Sequence, residues 1–179
     1  MSRRADVYPG AVLSPRTPTA ILLATVLLAG CGGDDTSPQT KEGFISAADV
    51  VCQDLFSEFA QASAEQPTTP QAVARANNEL ADTYDKLAVR LSAVPLPEAG
   101  AARRQAQAFV HSVRAVQPVL ENLRDASGRF VDAANAEDRQ ALAKAGNDVR
   151  AALDAFRSAR AESDRLAIAY GLNFCGNLG

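Results

Sequence analysis

Three cysteines, one histidine and a scatter of carboxylates are the residues of this 179-residue chain that could do chemistry. Zinc, haem and di-metal sites each gather several His, Cys or acidic ligands, so Cys31, Cys52, Cys175 and His111 make a poor donor set. No metal, cofactor or catalytic residue is expected. The chain has no Gly-x-Ser-x-Gly elbow, no Gly-rich phosphate loop and no His-Glu-x-x-His. A Ser-His-Asp arrangement would have to be built on His111 in mid-helix, where backbone N–H groups are engaged and cannot form an oxyanion hole. Asp82 with Asp85 and Glu162 with Asp164 have the composition of a glycosidase pair. On long polar helix faces such pairs are solvated, and Lys144–Asp148, Arg150–Asp154 and Arg160–Asp164 have i,i+4 salt-bridge spacing. Arg103-Arg104 is an isolated basic doublet, read as part of a solvated face. With a net charge of -3 there is no basic footprint for nucleic acid.

The elements that must position these residues begin after an export signal. Arg3, Arg4 and Arg16 precede an apolar run from Ala20 to Ala29, too short for a bilayer that needs about 20 helical residues. The run ends Leu28-Ala29-Gly30-Cys31, which resembles the bacterial lipobox, where cleavage before the Cys leaves it N-terminal and diacylated. Residues 1–30 are therefore expected to be a lipoprotein signal peptide and Cys31 the lipidation site, with the chain held on the extracytoplasmic face of the cell membrane. Ser2-Arg3-Arg4 hints at twin-arginine export, while Asp6 and the Pro-broken stretch before Ala20 fit it poorly, so the route stays open. Without Arg3, Arg4, Arg16 and Asp6 the remaining chain holds 15 basic and 20 acidic residues, so anionic headgroups should repel it mildly and the lipid should do the anchoring.

Residues 31–43 lack apolar periodicity and read as a flexible tether. From Cys31 on, Ala makes up 31 of 149 residues, and beyond the tether apolar positions recur at three and four. Ser46 is the expected cap of a first helix whose seam is Ala48, Cys52, Leu55, Phe59 and Ala62. Thr69 with Pro70 opens a second, seamed by Val73, Ala76, Leu80, Tyr84, Leu87, Leu91 and Val94. The third runs from Ala102 through Phe109, Val113 and Leu120 to about Ala134 and should kink at Pro118. Asn135-Ala136-Glu137-Asp138 makes the last turn, and the fourth seam runs from Leu142 through Val149, Phe156 and Ser163 to Tyr170, stopped by Gly171. Short connections between amphipathic helices predict an all-α, antiparallel, up-down-up-down four-helix bundle over residues 44–179 with a kinked third helix. Its Ala-rich seams draw the axes close and leave little internal room for a ligand.

The start Phe44-Ile45-Ser46-Ala47-Ala48-Asp49-Val50-Val51-Cys52 and the finish Tyr170-Gly171-Leu172-Asn173-Phe174-Cys175-Gly176 resemble the two ends of a group of small exported actinobacterial lipoproteins and membrane-anchored proteins of unknown function. In that group F-I-x-x-A-D-x-x-C and Y-G-L-x-x-C-G bracket an Ala-rich helical body; here Val50-Val51 stands where small residues are usual. The resemblance implies a helical fold, export and a disulfide between Cys52 and Cys175, and it supplies no activity. Bundle topology agrees, because the first helix starts and the fourth ends at the same end; two unpaired buried thiols are the alternative.

The function expected is a non-enzymatic, lipid-anchored interaction or accessory module for another, unidentified cell-envelope protein. The alternative is a binder or sensor of a small apolar ligand held between helices. The partner site is expected where the third and fourth helices outrun the first two as a two-helix arm beyond Pro118, with Leu123, Phe130, Val131 and Leu142 lacking cover.

Overall fold

A computed structural model describes residues 40–62 and 67–176, with the side chains of Gln61 and Ala62 excepted. The signal segment 1–30, Cys31 and most of the tether expected over 31–43 lie outside the described residues. Five helices form: α1 (Lys41–Ala62), α2 (Pro70–Ala93), α3 (Gly100–Ala115), α4 (Gln117–Asn135) and α5 (Arg139–Tyr170). The first helix starts five residues before Ser46, because the Thr40 hydroxyl accepts the Gly43 N–H at 3.0 Å and caps it. Residues 41–43 thus belong to the helix and not to the tether.

α3 and α4 are the two halves of the expected third helix. Pro118 has no N–H for the Arg114 carbonyl, and at Val116 the backbone closes a tighter turn, with its N–H on the Val113 carbonyl at 3.3 Å. Thr69 caps α2 through a 3.2 Å bond from Ala72 N, with Pro70 in the first turn. Asp138 caps α5 by accepting from Gln140 N and Ala141 N, each at 3.0 Å. Gly171 ends α5 at φ 101°, a left-handed backbone that costs Gly nothing and a side-chained residue about a kilocalorie.

The helices pack as an antiparallel bundle whose register can be read from named pairs. Gln71 Nε2 donates to Asn135 Oδ1 at 3.2 Å, and buried Asn77 donates to buried Ser127 at 2.9 Å. Arg124 then bridges Asp82 at 2.7 Å and Asp85 at 2.8 Å. α2 therefore runs antiparallel to α4, from the end of α4 at its own first turn to the start of α4 at Asp85, which accepts from Gln117 Nε2. α1 joins through Phe56, edge-on to Tyr84, which is edge-on to Phe156 of α5. The α2 seam turns partly away from Val73, Ala76 and Leu80, which are half-buried, toward Ala74, Asn77 and Ala81. Small residues there let α2 and α4 approach, and the Asn77–Ser127 bond keeps the polar atoms satisfied.

The two-helix arm does not form. α2 reaches the tip, so Leu123 lies in the core at 0% exposure and Phe130, Val131 and Leu142 are half-buried. The extra length of the long helices is matched at the other end instead. Residues 94–99 leave α2 without helical structure and carry the chain to the start of α3.

Candidate functional site

Two features stand out from the bundle: a fastened C-terminal tail and a pair of grooves on either side of His111. The tail, residues 171–176, folds back over the first turns of α1. Cys175 is joined to Cys52, with Cα atoms 5.3 Å apart, so the disulfide connects the tail to α1 about three turns from its start. One turn earlier, the Asp49 carboxylate accepts the backbone N–H groups of Asn173 at 3.0 Å, Phe174 at 2.9 Å and Cys175 at 3.4 Å. A carboxylate with its oxygens so occupied can be buried at modest cost, and Asp49 is buried. Phe44, buried one turn before Ala48, meets Tyr170 edge-on at 5.6 Å, and Lys41 Nζ lies over the same ring, 5.0 Å from its centroid.

These contacts account for the two terminal motifs. Phe44, Ala48, Asp49 and Cys52 share one face of α1, and each touches or covers the tail or the end of α5. At the finish, Gly171 turns the chain, Leu172 is buried, and Gly176 packs so tightly that a Cβ on it would lie 2.6 Å from Ile168 Cγ1 and 3.2 Å from Ile168 N. Gly176→Ala should therefore cost about 1–3 kcal/mol, the usual range for overpacking. The urea midpoint of the variant measures it, and an unchanged midpoint would mean that the tail end is not docked on α5.

Beneath the disulfide the packing is nearly closed, with about 10 Å³ of space walled by Tyr84, Phe109, Arg160, Ser163 and Asp164. Burial pushes the Tyr84 hydroxyl up to about 12, against a smaller opposing effect of the Arg160 guanidinium, so it stays protonated. Arg160 and Asp164 pair at 3.0 Å with both side chains largely covered.

The carboxylates singled out in the sequence are held in ion pairs. Asp82 and Asp85 share Arg124, Glu162 takes Arg165 at 2.7 Å, and Asp164 takes Arg160. The Glu162–Arg165 hydrogen bond holds the Glu162 carboxyl below its ordinary range. Lys144–Asp148 forms at 3.2 Å, but Arg150 does not reach Asp154; it bonds Asn147, and Asp154 takes Arg157 at 2.7 Å. No group of three or more His, Cys, Asp or Glu that could hold a metal occurs among the described residues.

His111 stands exposed about one turn from the end of α3 as the ridge between two surface grooves. One, of about 220 Å³, lies between α3 and the end of α2, with Leu91, Val94, Leu96 and Val110 as its floor and Gln107 and Arg114 on its rim. The other, of about 400 Å³, lies between α3 and α5 and is walled mainly by Ala108, Ala115, Ala159 and Leu166, with buried Ser112 and exposed Glu162 also lining it. Neither groove was visible in the sequence as a site. The signal was the small side chains of Ala108, Ala115 and Ala159, which leave a furrow between the two helices.

No protein-family model, no curated protein and no solved structure matches the chain.

Proposed function

We propose that the chain is a non-enzymatic module of the bacterial cell envelope, held on the extracytoplasmic face of the membrane by lipid on Cys31 and serving another envelope component. The observation that carries this reading is Leu28-Ala29-Gly30-Cys31 at the end of a basic-then-apolar leader, nine residues ahead of the first helix. Two acyl chains on one Cys make a stable anchor where one is marginal. The Cys52–Cys175 bond supports an oxidising compartment. None of the described helices is long and apolar enough to cross a membrane. The partner surface lies away from Leu123, which is part of the core, and the grooves beside His111 are concave surfaces open to a partner.

Replacing Cys31 with Ser should abolish incorporation of a clickable palmitate analogue and release the protein from membranes in carbonate. Retention of either property would overturn the anchor. A second reading, a carrier or sensor of a small apolar ligand, is supported by the 400 Å³ groove, which falls within the roughly 300–1,000 Å³ of ordinary ligand sites. A shift in fluorescence of an apolar dye on binding, lost in Ala159→Leu, distinguishes this reading from a surface that binds only protein.

A further inference from the structure

The net charge conceals a strong division within the bundle. From Lys86 to Leu120 the chain carries five cations, Lys86, Arg90, Arg103, Arg104 and Arg114, against the single carboxylate of Glu98. The rest of the described chain carries ten cations against sixteen carboxylates. This basic stretch is the end of α2, the extended residues 94–99 and the whole of α3, so it forms one side of the molecule. All five cations are exposed. None of the five takes part in an ion pair among the described residues, whereas elsewhere five of the ten cations, Arg124, Lys144, Arg157, Arg160 and Arg165, are paired. Arg103 donates to the Pro97 and Glu98 carbonyls, which holds its guanidinium at the bottom of the same face.

Two further observations fall on this side. Val89, the most exposed large apolar side chain among the described residues at 69%, lies between Lys86 and Arg90. The groove rimmed by Gln107, His111 and Arg114 has an apolar floor and no acidic lining residue. A face with unpaired cations, an exposed apolar residue and a shallow apolar furrow has the chemistry of an interfacial surface that meets anionic headgroups and the first methylenes beneath them.

We propose that the α2–α3 face docks on an anionic phospholipid bilayer. Charge complementarity selects this face, because the carboxylate-rich remainder is repelled by the same surface. The chain ahead of Lys41 allows it: nine residues span at most about 30 Å, so a domain tethered at Cys31 is confined within reach of the headgroups. The expected mild repulsion of an acidic domain therefore applies to its other sides and orients it. The inference rests on membrane attachment for its proximity, and on the charge division for its geometry.

His111 supplies the probe, since it is the single histidine of the chain and stands on the proposed contact face. The full chain, as isolated from cells, is mixed with vesicles of phosphatidylcholine alone or of phosphatidylcholine with phosphatidylglycerol, and diethyl pyrocarbonate is added. Carbethoxylation of the imidazole, read at its own absorbance band, should be largely suppressed by the anionic vesicles and unaffected by the neutral ones. Salt at about 1 M, where the screening length is about 3 Å, should restore it. Arg103→Glu with Arg104→Glu should require roughly tenfold more anionic lipid for the same protection. Arg139→Glu with Lys144→Glu, the same charge change at the far tip, should require no more than the parent. Equal reactivity of His111 in both lipids, or equal effects of the two double variants, would overturn the docking. Palmitate labelling of Cys31 is scored on the same preparations, so a labelled chain with unprotected His111 rejects the docking and leaves the anchor standing. Protection by an acidic soluble protein or by free phosphate, without protection by anionic vesicles, also rejects it.

Discussion

Cys52→Ala with Cys175→Ala should unfold in urea with a free energy lower by about 5 kcal/mol than the oxidised parent. The magnitude comes from the loop that the bridge closes. Its ends are 123 residues apart, nearly the whole bundle, and constraining so long a loop in the unfolded chain is where a cross-link has its largest entropic effect. The figure is the upper end, because the tail keeps its other attachments when the sulfurs are gone: Asp49 still accepts the N–H groups of Asn173, Phe174 and Cys175, and Leu172 still fills its place in the core. Small domains have only about 5–15 kcal/mol in total, so the double variant should be marginal at 37 °C. Denaturation curves of parent and variant, fitted with a common slope, give the difference. A loss below about 1 kcal/mol would mean that the bridge constrains little.

The terminal motifs were legible because their residues are chemically distinctive, while the reason for their spacing was not. Asp49 reads in the sequence as an acidic residue suited to the first turn of a helix capped by Ser46. In the fold the helix begins earlier, at Thr40, and Asp49 lies two turns inside it with its carboxylate turned to the tail. Spacing of three places Asp49 and Cys52 on one face of α1, so the acid and the thiol reach the same six-residue segment. Nothing in the local sequence marks a carboxylate as the acceptor for N–H groups 124 to 126 residues away.

The helices and the kink at Pro118 follow from local rules and were readable, as were the start of α2 at Thr69 and the end of α5 at Gly171, whereas the cap of α1 was misplaced at Ser46. What failed was the alignment of the helices along the bundle axis. Helix lengths alone leave open at which end the surplus lies, and the non-helical residues 94–99 placed it at the tail end and not at the tip. The charge division was hidden for a similar reason. Arg103-Arg104 is an isolated doublet along the chain, but Lys86 and Arg90 come beside α3 only when α2 folds back.

Leu123→Ala should cost about 3 kcal/mol or more, the second large effect expected of a single site. Leu123 is on α4 at 0% exposure, in the core shared with α2 and α5, and its neighbours Leu120 and Ala126 are covered as well. Truncation there removes the burial of three carbons and leaves a cavity that rigid Ala-rich helices are slow to fill, since close-packed backbones have little room to move inward. Had α4 and α5 projected as an arm, the same substitution would have spared stability and weakened only partner capture. Val131, half-buried one turn from the tip, provides the internal comparison: Val131→Ala should cost less than about 1 kcal/mol, because solvent already reaches the methyl groups that are lost. Urea midpoints of the two variants, measured side by side, discriminate the alternatives. A large shift for Leu123→Ala with a small one for Val131→Ala follows from three helices packed to the tip, and similar small shifts for both would return Leu123 to the surface.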